Sequence, residues 1–458
     1  MRNPLLVPDL RELIEAGEDD VLRDFFSDHH PAQVAEILDD FKPSEGDKVL
    51  DLLTPRLRAE VLGYLGGEHQ VRTIERMEPA DAAALLHLMS HDERADLVNK
   101  LDEERVDQIL PHLAQAERED IRRLASYEPG TAGAVMTTDY VTLPPHLTVR
   151  EALERLRHEA PDRETIYYSY VVDPLRKLIG FVSLKRLILA RPLARIEDIM
   201  QRDAIVARVD EDQESVARKI AKYDLIAIPV VDHHDMLLGI ITHDDALDIL
   251  RQEQTEDILA FGGVSKDAEA DDESYWESHV YENVQRRIGW LLMLFLAGTI
   301  TRSVVHAFHW VEGALPDVEL DAFIPLLIGT GGNAGSQTVG TIIRGLALGE
   351  IHQGDTRKVV VREMLTGLLL GLLMGLLGFL FTWIIFGQSR GFGAVIGLAL
   401  LGICVWANAI GALVPLLAKR FNIDPALVSA PLISTLVDAT GLCIFYTIAI
   451  VLLIKFRF

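Results

Sequence analysis

The chain has 458 residues, 25% of them charged, and a formal charge of −25 at pH 7. From Arg287 onward 11 Lys and Arg stand against 9 Asp and Glu, a net +2, whereas the first 286 residues hold 33 against 60, a net −27. Such halves exclude one soluble enzyme with a uniform surface. They also exclude a nucleic-acid binder relying on overall positive charge, which phosphates require.

In chain order, the N-terminus (MRNPLLVPDLRELIEAGEDD) lacks the apolar core and cleavage site of a signal peptide. The acidic half is therefore expected in the cytosol. Residues 28–125 read as helical, with short apolar runs such as Val34-Ile37-Leu38, Val61-Leu62-Leu65 and Leu85-Leu88-Met89. Pro31, Pro55 and Pro79 recur 24 residues apart, and proline is tolerated in a helix's first turn. The spacing predicts a helix-pair repeat stacked as a small solenoid over residues 1–130, either a sensing arm or a scaffold.

Residues 131–250 hold a second repeat, with copies near 136–195 and 196–250. Met136–Asp139 (MTTD) matches Met200–Asp203 (MQRD), Tyr170–Asp173 (YVVD) matches Pro229–Asp232 (PVVD), and Gly180–Ser183 (GFVS) matches Gly239–Thr242 (GIIT). Each copy reads helix, strand, strand, helix. The pair resembles tandem cystathionine-beta-synthase-like (CBS) domains, regulatory modules that often bind adenine nucleotides. In that family a Ser or Thr followed three residues later by Asp holds the ribose. The second copy has Thr242 and Asp245; the first has Ser183 followed by Arg186. ATP is the ligand this resemblance implies.

A long helix is expected from Asp244 to about Phe261, within a connecting segment 244–274. It carries Asp245, Asp248, Glu253, Glu256 and Asp257, at spacings that place several carboxylates on adjoining faces, where they repel unless cations intervene. A solvated acidic face is the plain alternative. Asp212, Glu214 and Asp224 in the second CBS copy, and Asp92 and Asp96 in the arm, add further acid. Mg²⁺ takes oxygen ligands and binds through one or two carboxylates while keeping waters. Gly262 and Gly263 should break the helix, and Tyr275–Arg287 should lead amphipathically into the membrane.

The back half, residues 275–458, has five apolar stretches near 288–309, 323–346, 364–386, 392–417 and 430–454, about the 20 residues a bilayer requires. The second is the weakest by hydropathy. Eight basic residues (Arg286, Arg287, Arg344, Arg357, Lys358, Arg362, Lys419, Arg420) fall on one side and four (Arg302, Arg390, Lys455, Arg457) on the other. This bias predicts a cytoplasmic N-terminus and an outside C-terminus in the plasma (inner) membrane. Cys404 and Cys443 both sit in spans and offer no disulfide framework.

Two segments carry the chemistry. Gly329–Gln337 (GTGGNAGSQ) fails the dinucleotide frame because Ala334 stands where the third Gly belongs and no strand precedes it. Asn333, Gln337 and Thr341 instead form a polar stripe four residues apart, tolerated in lipid only where it faces protein or water. In the fifth span Asp438 is the acidic residue well inside the membrane, at a cost of about 2.5–3.5 kcal/mol on insertion scales. Ala430, Ser434 and Asp438 make a narrow stripe with room for a hydrated cation. By contrast, Gly367, Gly371, Gly375 and Gly378 read as a packing ridge. One carboxylate is thin for a divalent ion, and a two-fold dimer would bring two copies of Asp438 to one path.

With these pieces together the sequence resembles the MgtE family of magnesium channels, on the arm, the CBS pair, the acidic helix, GTGGNAGSQ and Pro431–Asp438 (PLISTLVD). The resemblance implies a multidomain membrane protein: an all-α helical-repeat domain, α/β tandem CBS domains, a connecting plug helix and five transmembrane helices. It implies a homodimer in membrane lipid with the pore between protomers. Asp438 would hold hydrated Mg²⁺ and Asn333 would line the cytosolic mouth. Ala430 and Ser434 stand where relatives place small or polar residues, Ala430 offering its backbone carbonyl where relatives carry Asn. Intracellular Mg²⁺ would bind Asp92, Asp96, Asp212, Glu214, Asp224, Asp245, Asp248, Glu253, Glu256, Asp257 and Asp424 and close the pore. The alternatives are transport of another divalent ion such as Co²⁺, or a membrane-anchored metal-sensing scaffold. No nucleophile–base pairing, phosphate-binding loop or His-rich motif points to an enzyme.

Overall fold

The computed structural model describes residues 6–160, 164–265, 279–313, 320–421 and 423–455. The chain divides into two compact units, one reaching to Glu253 and one from Gln254 onward.

The first unit opens with ten short helices among the described residues: α1 (Val7–Ala16), α2 (Asp19–Ser27), α3 (Pro31–Leu38), α4 (Pro43–Leu52), α5 (Pro55–Gly63), α6 (Gly67–Arg76), α7 (Pro79–His87), α8 (His91–Lys100), α9 (Glu103–Ile109) and α10 (Gln115–Leu124). Their starts fall every 12 residues from Val7 to Gln115, so the 24-residue proline spacing is two helices per period. Proline sits in the first turn of α3, α5 and α7, and the Thr54 hydroxyl accepts from Leu57 N–H to cap α5. From α2 onward helices pack largely on their second neighbours, as α3 on α5, α5 on α7 and α6 on α8. A continuous core running from Leu22 and Phe26 to Ile109 and Ile121 results. That is the predicted solenoid.

Two CBS-like modules follow. In the first, β1 (Val141–Leu143) pairs parallel with β2 (Tyr168–Val172), which pairs antiparallel with β3 (Leu178–Ser183). α11 (Val149–Glu159) and α12 (Leu184–Leu189) flank them, with α13 (Ile196–Ile199) beyond. In the second, β4 (Ala207–Arg208), β5 (Ala227–Val231) and β6 (Leu237–Thr242) repeat that order around α14 (Gln213–Tyr223). The modules exchange edges: Thr137 bridges Ile240 and Gln201 bridges Phe181. Gly180 and Gly239 are glycine because the exchanged segments cross them. A Cβ on Gly180 would lie 2.5 Å from the Gln201 carbonyl oxygen, and one on Gly239 2.8 Å from that of Thr137. The repeat motifs thus mark a pseudo-symmetric pair.

α15 (His243–Phe261) leaves the second module and ends at Gly262 and Gly263, the latter left-handed at φ 75°. Residues 266–274 of the connecting segment and Tyr275–Ser278 of the expected amphipathic lead lie outside the described residues. From Val280 the lead is part of one 34-residue helix, α16 (Val280–Gly313), not a separate element.

The second unit also holds α17 (Ile324–Ala347), α18 (Thr356–Leu380), α19 (Arg390–Arg420) and α20 (Ala430–Ala449). α18 and α20 continue as π-helical turns, Phe381–Ile385 and Ile450–Lys455. Among the described residues four helices are long and apolar enough to cross a membrane: Val280–Val311, Thr356–Ile385, Arg390–Arg420 and Ala430–Leu453. α17 is long enough, but its glycines, Asn333, Ser336 and Gln337 lower its hydropathy. The glycine ridge is a packing device. A Cβ on Gly371 would come 2.9 Å from the Leu401 backbone of α19, and one on Gly375 2.5 Å from the Gly397 carbonyl oxygen. Backbone thus lies on backbone, while Leu369, Leu372, Leu373 and Leu376 point outward. The core between α17, α19 and α20 is apolar, built on Val339, Ile403, Ile433 and Val437.

Candidate ion path and acidic cluster

α17 and α20 lie side by side because small residues face each other. A Cβ on Gly332 would overlap the Ser434 hydroxyl and sit 3.5 Å from Asp438 Oδ1. A Cβ on Gly335 would meet Ile433 at 3.0 Å. The Ser336 hydroxyl donates to the Ala430 carbonyl at 3.2 Å. That carbonyl, expected to be free for an ion, is therefore already engaged on one side. Ser429 caps α20, accepting from Leu432 N–H.

The buried stripe of α17, including Gly331, Gly335, Thr338 and Ile342, turns inward. Thr338 donates to Asn408 Oδ1 at 2.7 Å, and Asn408 donates to the Cys404 carbonyl at 2.8 Å. The opposite stripe, Asn333, Gln337 and Thr341, is exposed on the single chain. Ser434 and Asp438 are half-buried beside it. Among the described residues no donor and no basic side chain reaches the Asp438 carboxylate. The inner half of the stripe lines a cavity of about 610 Å³ bounded by Ser336, Gln337, Gly340, Thr341, Arg344, Ala430 and Phe261. Phe261 ends α15, and Gly340 approaches its ring, since a Cβ there would lie 3.5 Å away. The following turn is fastened to α16: Ser265 N–H donates to Arg286 O at 2.9 Å, and Trp290 covers Gly263.

The first unit gathers a second set of carboxylates. Asp92 of α8 and Asp245 of α15 lie close enough to repel, and Glu93 and Glu164 each lie close enough to feel both of those charges. Burial, then the charge of Asp96, raises Asp92 above the ordinary carboxylate range. Burial and Asp92 raise Asp245, and burial with Asp92 pushes Glu93 up to about 7. Glu164 keeps an exposed edge, yet crowding by the protein and then Asp92 and Asp245 raise it to about 7 as well. Perturbed carboxylates gathered in this way mark a candidate functional site. Glu93 and Glu164 were missed by sequence reasoning. Glu93 adjoins Asp92 and could have been found; Glu164 comes from a loop 71 positions away and carries no local signal. Nearby, His91 bridges two carboxylates, Nδ1 at 2.7 Å from Asp120 and Nε2 at 3.2 Å from Asp139. It ties the arm to the strand leading into the first CBS module.

The remaining acidic candidates have local engagements. Asp212 caps α14, accepting from Ser215 N–H at 2.9 Å. Glu214 pairs with Arg218. Asp224 is the left-handed C-cap of α14 at φ 51°. Glu253 accepts from Gln213 at 2.8 Å. Asp424 accepts from Ala426 N–H at 2.9 Å. Asp96 and Asp248 are exposed, while Glu256 is buried and Asp257 half-buried on α15. Among the described residues no three His, Cys, Asp or Glu side chains converge at metal-ligand distance; Mg²⁺ held through one or two carboxylates and its own waters does not require three. At the presumptive ribose positions Thr242 donates to Asp245, and Ser183 caps α12 by accepting from Arg186 N–H at 3.3 Å.

Comparison with known proteins agrees with this organisation. Residues 324–448 match the MgtE family, described as a divalent cation transporter. Residues 29–130 match the MgtE intracellular N domain, and 132–192 and 196–252 match CBS domains. The chain is 38% identical over 456 residues to a magnesium transporter MgtE of Thermus thermophilus, covering 98% of each. It is 31% identical over 435 residues to one of Bacillus subtilis, covering 94% of each. A crystal structure of the cytosolic domain of the Mg²⁺ channel MgtE in complex with ATP is 37% identical, with a TM-score of 0.51, covering 53% of this chain and 99% of that one. The N-terminal domains are thus cytoplasmic and the apolar helices lie in a membrane, and the chain belongs to the MgtE family of magnesium transporters.

Proposed function

We propose that two copies of this chain form a Mg²⁺-selective channel for uptake across the plasma membrane, closed by intracellular Mg²⁺. The observation that carries the path is the exposed stripe Asn333-Gln337-Thr341 beside the unpartnered, half-buried Asp438. Polar groups at this depth need water or protein before them, and a dimer mate across the stripe encloses both. Asp438 from each protomer then accepts from the waters of one hydrated ion, with Asn333 and Ser434 completing the wall. α17 is the fifth crossing helix, shielded from lipid on its polar side, and the C-terminus lies outside.

Asp92, Glu93 and Asp245 supply the sensing surface. Without cations their repulsion favours separation of arm and CBS pair. Ions that bind the gathered state better shift the population toward it. Glu256, Asp257 and Asp424 are further candidate sensing carboxylates, and α15 transmits closure through Phe261. The domains divide as arm 1–130, CBS pair 131–250, connecting segment 244–274 and membrane region 275–458. ATP, present in the related cytosolic domain, binds the CBS pair here through Thr242 if that hydroxyl leaves Asp245.

The test is Asp438→Asn in a strain dependent on Mg²⁺ uptake. Loss of rescue at normal membrane levels is expected; full rescue overturns the path. For the gate, Asp92→Asn with Asp245→Asn should leave currents open at high internal Mg²⁺.

A further inference from the structure

The cavity of about 610 Å³ at the inner end of the polar stripe contains one charged lining residue, Arg344. Phe261, at the end of the segment that follows the cytoplasmic domains, lines the same cavity and so places it on the cytosolic side. Arg344 is exposed, in the last turn of α17, on the same face as Gln337 and Thr341. A fixed positive charge there sits where a divalent cation from the cytosol must enter. At the opposite end of this helix Asp321, three residues before Ile324, carries the other sign.

We propose that Arg344 makes Mg²⁺ conduction directional: its guanidinium at the cytosolic mouth disfavours entry of Mg²⁺ from inside and leaves entry from outside nearly unaffected. The inference rests on the pore reading above. Charged rings at a mouth set local ion concentration and hence the rate of entry. For a divalent ion about 8 Å from each of the two protomers' guanidiniums in a water-like dielectric, Coulomb repulsion lowers entry roughly thirty-fold. Monovalent salt screens it, since the Debye length falls from about 10 Å at 0.1 M to about 3 Å at 1 M. A plain structural role also exists: Arg344 suits a helix C-terminus and a cytosolic membrane edge. That role affects yield or stability, whereas directionality affects the amplitude of the open-channel current.

The experiment records single-channel currents from the full-length protein in planar bilayers, with equal, sub-saturating Mg²⁺ on both sides and low monovalent salt. Unitary amplitude is independent of how often the gate opens. Wild type should pass more inward than outward current at equal and opposite voltages. Arg344→Gln, which removes both guanidiniums of the dimer, should raise the outward amplitude up to roughly thirty-fold with the inward amplitude near wild type. Arg344→Lys should keep the asymmetry, Arg344→Glu should reverse it, and high salt should erase it in wild type. A wild-type current already symmetric, or an asymmetry unchanged in Arg344→Gln, overturns the inference alone. Absence of any Mg²⁺ current in wild type overturns the pore reading and this inference with it.

Discussion

Gly332 of α17 packs against Ser434 of α20 with no room for a methyl group between them. Asp438, one turn further, lies beside the same glycine. The spacing of the two helices, and so the placement of the carboxylate, depends on a missing side chain.

Gly332→Ala should push α17 from α20. Overpacking of this kind costs about 1–3 kcal/mol, and Mg²⁺ flux should fall with it. Ser434→Gly in the same chain removes the overlapping hydroxyl and should recover much of the stability. Thermal unfolding in detergent and liposome Mg²⁺ uptake, measured on both variants, check this. Equal loss with and without the second change refutes the contact.

The Thr338–Asn408 hydrogen bond joins α17 to α19 in a buried position. A double-mutant cycle with Thr338→Val and Asn408→Leu should give a coupling of about 0.6–1.7 kcal/mol, as for polar pairs in other membrane helices. Zero coupling would mean that Thr338 is satisfied by its own helix through Ala334.

Gly180→Ala and Gly239→Ala strike the two crossings of the CBS pair. Each Cβ meets a carbonyl that also holds a ladder hydrogen bond: Phe181 N–H to Gln201 O at 2.9 Å and Ile240 N–H to Thr137 O at 2.9 Å. Each substitution should cost about 1–3 kcal/mol, read as a lowered urea midpoint of the cytosolic signal.

Metal-free, the acidic cluster should tighten with acid. Glu93 titrates at about 7 in the folded chain against an ordinary value of 4.5. A raised carboxyl value means that the folded form holds more protons. The associated stability is full below about 4.5 and is lost as pH rises through about 7, a change of roughly 3 kcal/mol at most for this group. Protection factors at α8 and the start of α15, taken relative to the intrinsic amide exchange rate at each pH, should therefore be higher at about pH 5 than at about pH 8. Mg²⁺ at the higher pH should restore protection. Glu93→Gln should flatten the pH dependence; an unchanged profile would place the titration elsewhere.

The repeat architecture was legible where sequence leaves a mark on each unit. Pro31, Pro55 and Pro79 exposed a 24-residue period, and Pro43 already marks the 12-residue step between the first two, but the helices starting at Gly67 and His91 carry no proline to continue it. The motif pairs of the CBS copies showed two modules, yet the crossing of Thr137 and Gln201 belongs to the tertiary structure alone. Asp438 stood out because a membrane carboxylate is costly on its own terms. Asp212, Glu214 and Asp424 looked equivalent to Asp92 in sequence. In the structure Asp212 also caps a helix, Glu214 pairs with Arg218 and Asp424 accepts from Ala426 N–H.

The sequence by itself determined the acidic and membrane halves, the element types and the polar stripes, since charge, hydropathy and helical period are local properties of neighbouring residues. The tertiary structure alone decided which carboxylates share a site. Glu164 meets Asp92 and Asp245 through a loop and two different elements. Arg344 shares a cavity with Phe261 because α15 turns at Gly263 and fastens to α16. Electrostatic repulsion and field depend on distance through space, which chain separation does not report.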